Sequence, residues 1–350
     1  MIVPRINLAA DSYAENLKTL SLLPNQVLVA PTPNDPRLQD ILKHQNKDAY
    51  WVQPLAFDAE DPLAQIHTLL DAGADKVVLP FAAFAAGVES YSHIPQERLA
   101  VELDPANFDK VNHLQDTVSV FLLNVDGSSE SLEAVKKTAQ AMPKDLLPRG
   151  GVKRVIAALS GQGPTSTPET STISELGRLG IDTLLPGEAL SSDQQKGKLN
   201  LGEAFMATVV SDRPDKLFPT VVVDEQGISL GLVYSSLESV VESFRTRKGV
   251  YFSRSRGLWH KGASSGATQD LIKVHVDCDS DALQFTVHQH GAGKINPQSF
   301  SFPTFSPHPM FPLLTFILIG SITRFLPQQH SRVLWFCHWT CTPQPDFAEP

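Results

Sequence analysis

From Gln26 to Gly187 the chain repeats one pattern: a short, nearly continuous apolar run, then a longer stretch with apolar residues at helical spacing. The apolar runs are QVLVAP, AYWVQP, KVVLP, LAVEL, SVFLLNV, VKRVIAAL and DTLLPG. Runs this short suit strands covered on both faces, and their alternation with helical stretches predicts parallel strands joined by crossover helices. Asp61-Pro62 opens a helix that runs to Ala72 and stops at Gly73, and Ser128 to Met142 supplies another. Residues 71 to 80, DAGADKVVLP, join a helix stop to a buried strand, the form expected of a barrel-like α/β domain.

The pattern changes near residues 205 to 217, where charge and two prolines precede a new strand. Val221 to Asp224 and Leu230 to Tyr234 bracket Glu225-Gln226-Gly227 and predict a hairpin. Ser235 and Glu238 fit a capping box for a helix whose buried face carries Leu237, Val240, Val241 and Phe244 and which ends at Gly249. A strand over Val250 to Ser253 follows. The expected architecture is an α/β N-terminal domain over residues 1–205, followed by a smaller α+β, mostly β, domain over 206–293.

At 350 residues and 42% hydrophobic, the chain is long enough to bury a substantial core. A net charge of -9 argues against a general nucleic-acid or membrane-surface binder, so any phosphate site has to be local. The first residues lack a basic region followed by an apolar one, which predicts a cytoplasmic protein. Phe311 to Gly320, the longest apolar run, is too short for a spanning helix, which needs about 20 residues.

The chemistry concentrates between Gly249 and Asp281, GVYFSRSRGLWHKGASSGATQDLIKVHVDCDSD. Asp277, Asp279 and Asp281 recur with period two after the alternating KVHV, so on a continuing strand the carboxylates share one face and Cys278 takes the other. Carboxylate oxygens suit Mg²⁺ and a thiolate suits Zn²⁺; a solvated acidic turn is the plainer alternative. The other two cysteines, Cys337 and Cys341, flank His338 and could complete a zinc site with Cys278, leaving a position for water. Arg254 and Arg256, two apart on a strand, would present two guanidinium forks to a phosphorylated substrate. Trp259, His260, Lys261, Ser264, Ser265 and Gly266 add an aromatic surface, a proton donor, a cation and loop amides; a charged surface turn is the competing reading. Ser160-Gly161-Gln162-Gly163 is a weak phosphate-loop candidate better read as a connection, and His67 and His93 lack ligand-like partners.

These motifs, RTRKGVYFSRSRGLWHKGASSGATQ, VDCDSDAL, VHQHGAG and FCH, closely resemble phosphoribosyl-AMP cyclohydrolase of histidine biosynthesis over about Leu217 to Gly293, resuming at Phe336. The whole chain resembles the front of fungal multifunctional histidine-biosynthesis proteins. The resemblance implies that Asp277, Asp279 and Asp281 bind magnesium, and that Cys278, Cys337 and Cys341 bind a zinc shared across a homodimer. It implies hydrolytic opening of the adenine ring of phosphoribosyl-AMP at N1–C6 by hydroxide on zinc. His338 is the preferred proton-transfer residue and His260 the second choice. It assigns no role to the N-terminal domain.

Two features depart from the family. About forty residues, 294–334, separate GAG from FCH; they are rich in Phe, Pro, Ser and Leu, lack periodicity, and read as a retained intron or a disordered insertion. Cys337 and Cys341 are four apart where the family spaces them more widely, and residues 335–350 read as the resumed end of the domain. The competing function is a catalytically silent scaffold or binding module whose zinc site the insertion disrupts. A zinc nucleobase deaminase is excluded for want of an H-x-E paired with P-C-x-x-C.

Overall fold

Eight apolar strands close into a parallel barrel: β1 (Ile2–Asn7), β2 (Gln26–Ala30), β3 (Ala49–Val52), β4 (Lys76–Pro80), β5 (Leu99–Leu103), β6 (Val120–Val125), β7 (Arg154–Leu159) and β8 (Asp182–Pro186). The computed structural model describes residues 1–23, 26–31, 35–38, 49–54, 61–87, 89–114, 117–126, 128–141, 154–159, 170–277 and 279–291. Seven of the strands coincide with the apolar runs of the sequence. The eighth, β1, pairs with β2 and closes the ring on β8, with Arg5 opposite both Leu28 and Pro186. Pro4 and Arg5 interrupt its apolar pattern, so hydrophobicity alone does not announce it.

Alternate side chains fill the two sides of the ring. Val3, Leu28, Trp51, Val78, Ala100, Val120, Leu122, Ile156, Ala158 and Leu184 form the inner cluster, while the intervening residues pack outward against the crossover helices. The described helices are α1 (Tyr13–Leu20), α2 (Pro62–Asp71), α3 (Phe81–Ala86), α4 (Val111–Leu114), α5 (Ser129–Ala141), α6 (Thr170–Arg178), α7 (Leu201–Met206) and α8 (Leu237–Thr246). Asp61 caps α2 by accepting from the Ala64 amide at 2.9 Å, Pro62 occupies its first turn, and Gly73 at φ 110° ends it. Ahead of α5, Asp126 accepts from the Ser128 hydroxyl, the Ser131 hydroxyl and the Ser128 amide, and these bonds hold its carboxyl down at about 2. His67 and His93 stack on each other at 5.7 Å.

A two-stranded pair, β9 (Leu190–Ser191) and β10 (Leu199–Asn200), leads into α7. Six further strands then form one sheet: β11 (Phe218–Val223), β12 (Ser229–Ser235), β13 (Val250–Ser253), β14 (Gly257–His260), β15 (Gln269–Val276) and β16 (Leu283–Gln289), in the order β14-β13-β12-β11-β16-β15. The β11–β12 hairpin turns at Asp224–Gly227 as its sequence predicts, and β11 runs parallel to β16. The cap of α8 differs from the expected pair: Ser236 and Ser239 form the reciprocal box, while Ser235 is buried on β12 and its hydroxyl accepts from that of Thr220. The helix ends at Thr246, where Arg247 turns left-handed at φ 54°, ahead of the expected stop at Gly249. Leu237 stands exposed at its first turn, leaving Val240 and Phe244 as the buried hydrophobic face.

The barrel and the sheet share packing and backbone bonds within Met1–Ile295, one compact unit that holds every described residue. A Cβ on Gly202 of α7 would lie 2.7 Å from Val241 Cα of α8, so only glycine allows this approach, and Phe205 meets Phe244 edge-on at 5.6 Å. The Val274 amide on β15 donates to the Leu22 carbonyl at 3.0 Å, and Arg247 Nη2 to the Lys18 carbonyl at 3.1 Å. Phe244→Ala should empty the centre of this junction and lower unfolding stability by about 3–5 kcal/mol, read from urea denaturation. A loss below about 1 kcal/mol would mean that the ring does not fill a packed core.

Candidate functional site

A buried polar ladder holds one end of the sheet. Tyr251 Oη donates to Gln269 Oε1 at 2.6 Å, Gln269 Nε2 donates to Gln289 Oε1 at 2.8 Å, and Gln289 Nε2 reaches the Thr268 and His290 carbonyls. Burial raises the Tyr251 hydroxyl above its usual range and keeps it a donor. The Gly249 amide bonds to the Gln269 carbonyl and the Lys261 amide to the Gly249 carbonyl. The 261–268 loop is thereby fixed at its base. Gly262, at φ 82°, packs so close to Ala267 that any Cβ would collide with its backbone, while Ser264, Ser265 and Gly266 are exposed at the tip.

The opposite end of the sheet carries the acidic cluster. β15 stops at Val276, and Asp277 and Asp279 to Asp281 bend away from it, with Ser280 left-handed at φ 68°. Strand alternation is therefore not what gathers the carboxylates. Asp277 Oδ1 accepts from the Asp281 and Ala282 amides at 3.1 and 3.2 Å, and the Val210 amide donates to the Ser280 carbonyl at 2.9 Å. This tight turn brings one carboxylate oxygen each of Asp277, Asp279 and Asp281 within 4.8 Å of one another. Partial burial, then the charges of Asp279 and Asp277, push the Asp281 carboxyl up to about 6. Three hard oxygen donors at that spacing fit a divalent cation such as Mg²⁺. Ser280 is buried and its hydroxyl has no hydrogen-bond partner.

Arg254 and Arg256 occupy the turn between β13 and β14, not a strand, because the hairpin reverses there with Gly257 at φ 75°. Each exposed guanidinium rests on a ring: Arg254 4.6 Å from the Tyr234 centroid, Arg256 5.1 Å from Trp259. Arg213 shares the Tyr234 ring at 5.1 Å and pairs with Asp215. The register sets these arginines and the acidic turn at the same end of the sheet. Pro219 at the start of β11 lies opposite Tyr234, which lies opposite Phe252, and the adjacent Thr220 pairs with Leu283, just past the turn.

His260 closes β14, two residues past the Leu258 that pairs with Phe252, and Lys261 follows it. Lys261 Nζ lies 5.7 Å from the Trp259 ring, and His260 Nε2 is 4.0 Å from Glu242, which is itself held low by Arg245. The predicted set falls into two groups that meet at Trp259: Arg254, Arg256, Asp277, Asp279 and Asp281 in one, His260, Lys261, Ser264, Ser265 and Gly266 in the other. Two residues without an assigned role in the sequence reading, His288 and His290, join the second group. Their rings meet at 4.7 Å, His288 pairs with Glu225, and His290 Nε2 lies 2.9 Å from Asp270, which also pairs with Lys248. Their two-residue spacing in VHQHGAG on a strand was the available signal. Cys278, Cys337, His338 and Cys341 lie outside the described residues, as do Ser160 to Gly163 and the 294–334 segment.

The sequence profile of phosphoribosyl-AMP cyclohydrolase matches residues 231–295. The cyclohydrolase match contains both arginines, the 261–268 loop and the acidic turn, and its span ends before Cys337, His338 and Cys341. The histidine biosynthesis bifunctional protein his7 of Schizosaccharomyces pombe is 37% identical over 209 residues, covering 57% of this chain and 47% of that protein. The histidine biosynthesis trifunctional protein of Neurospora crassa is 54% identical over 109 residues, 31% of this chain and 12% of its own. The bifunctional protein HisIE of Thermus thermophilus is 46% identical over 77 residues, 21% of this chain and 36% of its own. The chain spans less than half the length of each of these relatives. The 3-hexulose-6-phosphate synthase of Salmonella typhimurium overlies 59% of this chain and 97% of its own with a TM-score of 0.41 and 10% identity, a likeness too slight to bear on function.

The raised Asp281 carboxyl sets a pH dependence for metal-free protein. Its folded-state proton affinity exceeds the unfolded one, so the stability it contributes is present below about pH 4 and lost as pH rises through about 6. In chelator-treated protein, D281N should flatten the urea midpoint across that window. An unchanged slope would show that charge crowding at the turn is not the cause.

Proposed function

We propose that this chain is a phosphoribosyl-AMP cyclohydrolase acting in histidine biosynthesis, opening the adenine ring of its substrate by hydrolysis of the N1–C6 bond. Water oxygen joins C6, the N1–C6 bond breaks, and N1 leaves carrying a proton, giving the formimino-carboxamide ribonucleotide. The observation that carries this reading is the convergence of three carboxylates within 4.8 Å inside the segment matching that family.

Asp277, Asp279 and Asp281 would hold Mg²⁺, whose charge offsets the crowding that raises Asp281. Arg254 and Arg256, exposed and steadied on Tyr234 and Trp259, are the phosphate-binding groups. Lys261 and the amides of the Ser264–Gly266 tip take a second anionic group, with Trp259 as an apolar surface for the base. Thiolates of Cys278, Cys337 and Cys341 suit zinc, which when bound would supply Lewis-acid activation of water. His338 is the preferred group for moving the proton, with His260 second. His260 stands about half exposed, 4.0 Å from Glu242.

A homodimer follows from the same reading. In the family that this segment resembles the zinc is shared between two subunits, so the thiolates of two copies of this chain would hold it. Among the described residues no helix is long and apolar enough to cross a membrane.

Purified full-length chain, given synthetic phosphoribosyl-AMP, Mg²⁺ and Zn²⁺, should turn over with a change in ultraviolet absorbance. D279N should lower turnover at least about tenfold, with partial recovery at high Mg²⁺. Turnover by D279N at the parent rate would sink the proposal. About one tightly bound zinc per chain is the accompanying expectation; a zinc-free, inactive protein would instead establish the silent-scaffold reading.

A further inference from the structure

The two ends of the barrel treat their polar groups differently. At the end where the strands begin, Asp182 is buried and pairs with the Met1 ammonium and with Arg154, whose Nε lies 2.9 Å from its carboxylate. Burial alone would raise that carboxyl, and the two cations hold it below its usual range. Arg154 and Lys76 both lie over Trp51, at 5.5 and 6.0 Å from the ring centroid, and Lys76 also pairs with Asp75. Each of these charges has a partner, although Arg98 Nε and Gln96 Oε1, just ahead of β5, are buried without one.

At the end where the strands finish, the polar inward positions next to the apolar layer are Arg5 on β1, Gln53 after β3, Glu102 on β5 and Asn124 on β6. Each stands two residues beyond an inner-cluster residue: Val3, Trp51, Ala100 and Leu122. Gln53 Nε2 donates to Glu102 Oε2 at 2.6 Å, a bond between alternate strands that only inward-facing side chains make. Gln53 is 4% exposed, and its Oε1 has no hydrogen-bond partner. Arg5, half-buried, makes no ion pair or side-chain hydrogen bond with another described residue. Asn124 Nδ2 donates to Asp104 Oδ1 at 2.9 Å. A buried carbonyl left unpaired costs about 1–3 kcal/mol, and a half-buried unpaired guanidinium adds to the cost. Such costs concentrate where a ligand supplies the missing partners, and in eight-stranded α/β barrels that place is this end.

We propose that the finishing end of the barrel is a second small-molecule site, independent of the cyclohydrolase segment, for a small anion that also carries hydroxyl groups. The anionic group faces the Arg5 guanidinium, and a hydroxyl donates to Gln53 Oε1 beside the Glu102 carboxylate. Glycerol 3-phosphate and malate probe the phosphate and carboxylate forms of this chemistry.

Isothermal titration of the full chain with each probe should give saturable binding for at least one of them. Arg5→Gln should weaken it about tenfold or more, and Gln53→Met should weaken it as well. Both variants should keep the far-ultraviolet circular dichroism of the parent and its turnover of phosphoribosyl-AMP. Asp279→Asn, which alters only the sheet, should bind the probe as the parent does. Absence of saturable binding by either probe, or binding unchanged in Arg5→Gln and Gln53→Met, overturns the proposal. If Arg5→Gln unfolds, Gln53→Met and the order of affinities, hydroxylated anion above inorganic phosphate, decide the same question; equal affinities overturn it.

Discussion

In a closed ring of eight parallel strands every second side chain is committed to the inside, and most of the molecule follows from that constraint. The inner cluster is small and apolar, built around Trp51 with Val, Leu, Ile and Ala from the other strands. The outer positions bind the crossover helices, and α7 carries this packing on to α8 through Gly202 and Phe205. At the two mouths the same alternation still sets which side chains point in, but the apolar supply ends there. What the chain places at those positions distinguishes an end with Asp182 between two cations from an end where Gln53 Oε1 is buried and unpaired beside Arg5.

The sheet solves a different problem with the same economy of contacts. Its buried apolar side chains include Phe218, Tyr251, Leu271, Val274, Leu283 and Phe285, and polar groups are buried among them. A buried ladder of Tyr251, Gln269 and Gln289 joins β13, β15 and β16, and its amide groups reach the loop backbone directly. Such a ladder is rigid only when each member is satisfied, and here each bond ends on a backbone carbonyl or another member. The loop that follows is thus exposed in its side chains and anchored in its backbone, a combination suited to receiving an anion.

Charge explains why a protein of net charge -9 can hold a phosphorylated ligand. The cations near the sheet are not spread as a basic surface; Arg213 and Arg254 share one ring and Arg256 and Lys261 another. Stacking fixes the guanidinium planes without consuming all their donors. The acidic turn beside them works in the opposite sense: partial burial, then the charges of Asp279 and Asp277, push the Asp281 carboxyl up.

Much of the architecture was written in the chain order. Seven barrel strands, the α2 stop at Gly73 and the Asp224–Gly227 hairpin all follow from local periodicity and backbone chemistry, which depend only on neighbouring residues. β1 escaped because Pro4 and Arg5 break its apolar run, and the α8 box fell one residue later because Ser235 is drawn into β12 by Thr220. Arg254, Arg256 and the three aspartates were legible as chemistry, since their residue types are unusual at that density. Their geometry was not: a strand was expected in both places, and a turn is found in both, because a reversal depends on hydrogen bonds from residues distant in sequence, such as Val210 to Ser280. The sequence by itself determined which residues carry charge, oxygen donors and helical or strand propensity. Only the tertiary structure decided that aspartates and arginines share one end of the sheet, that Lys261 shares the Trp259 ring with Arg256, and that Arg5 and Gln53 face into the barrel. Register and ring closure set those positions, and both are properties of pairings between segments far apart along the chain.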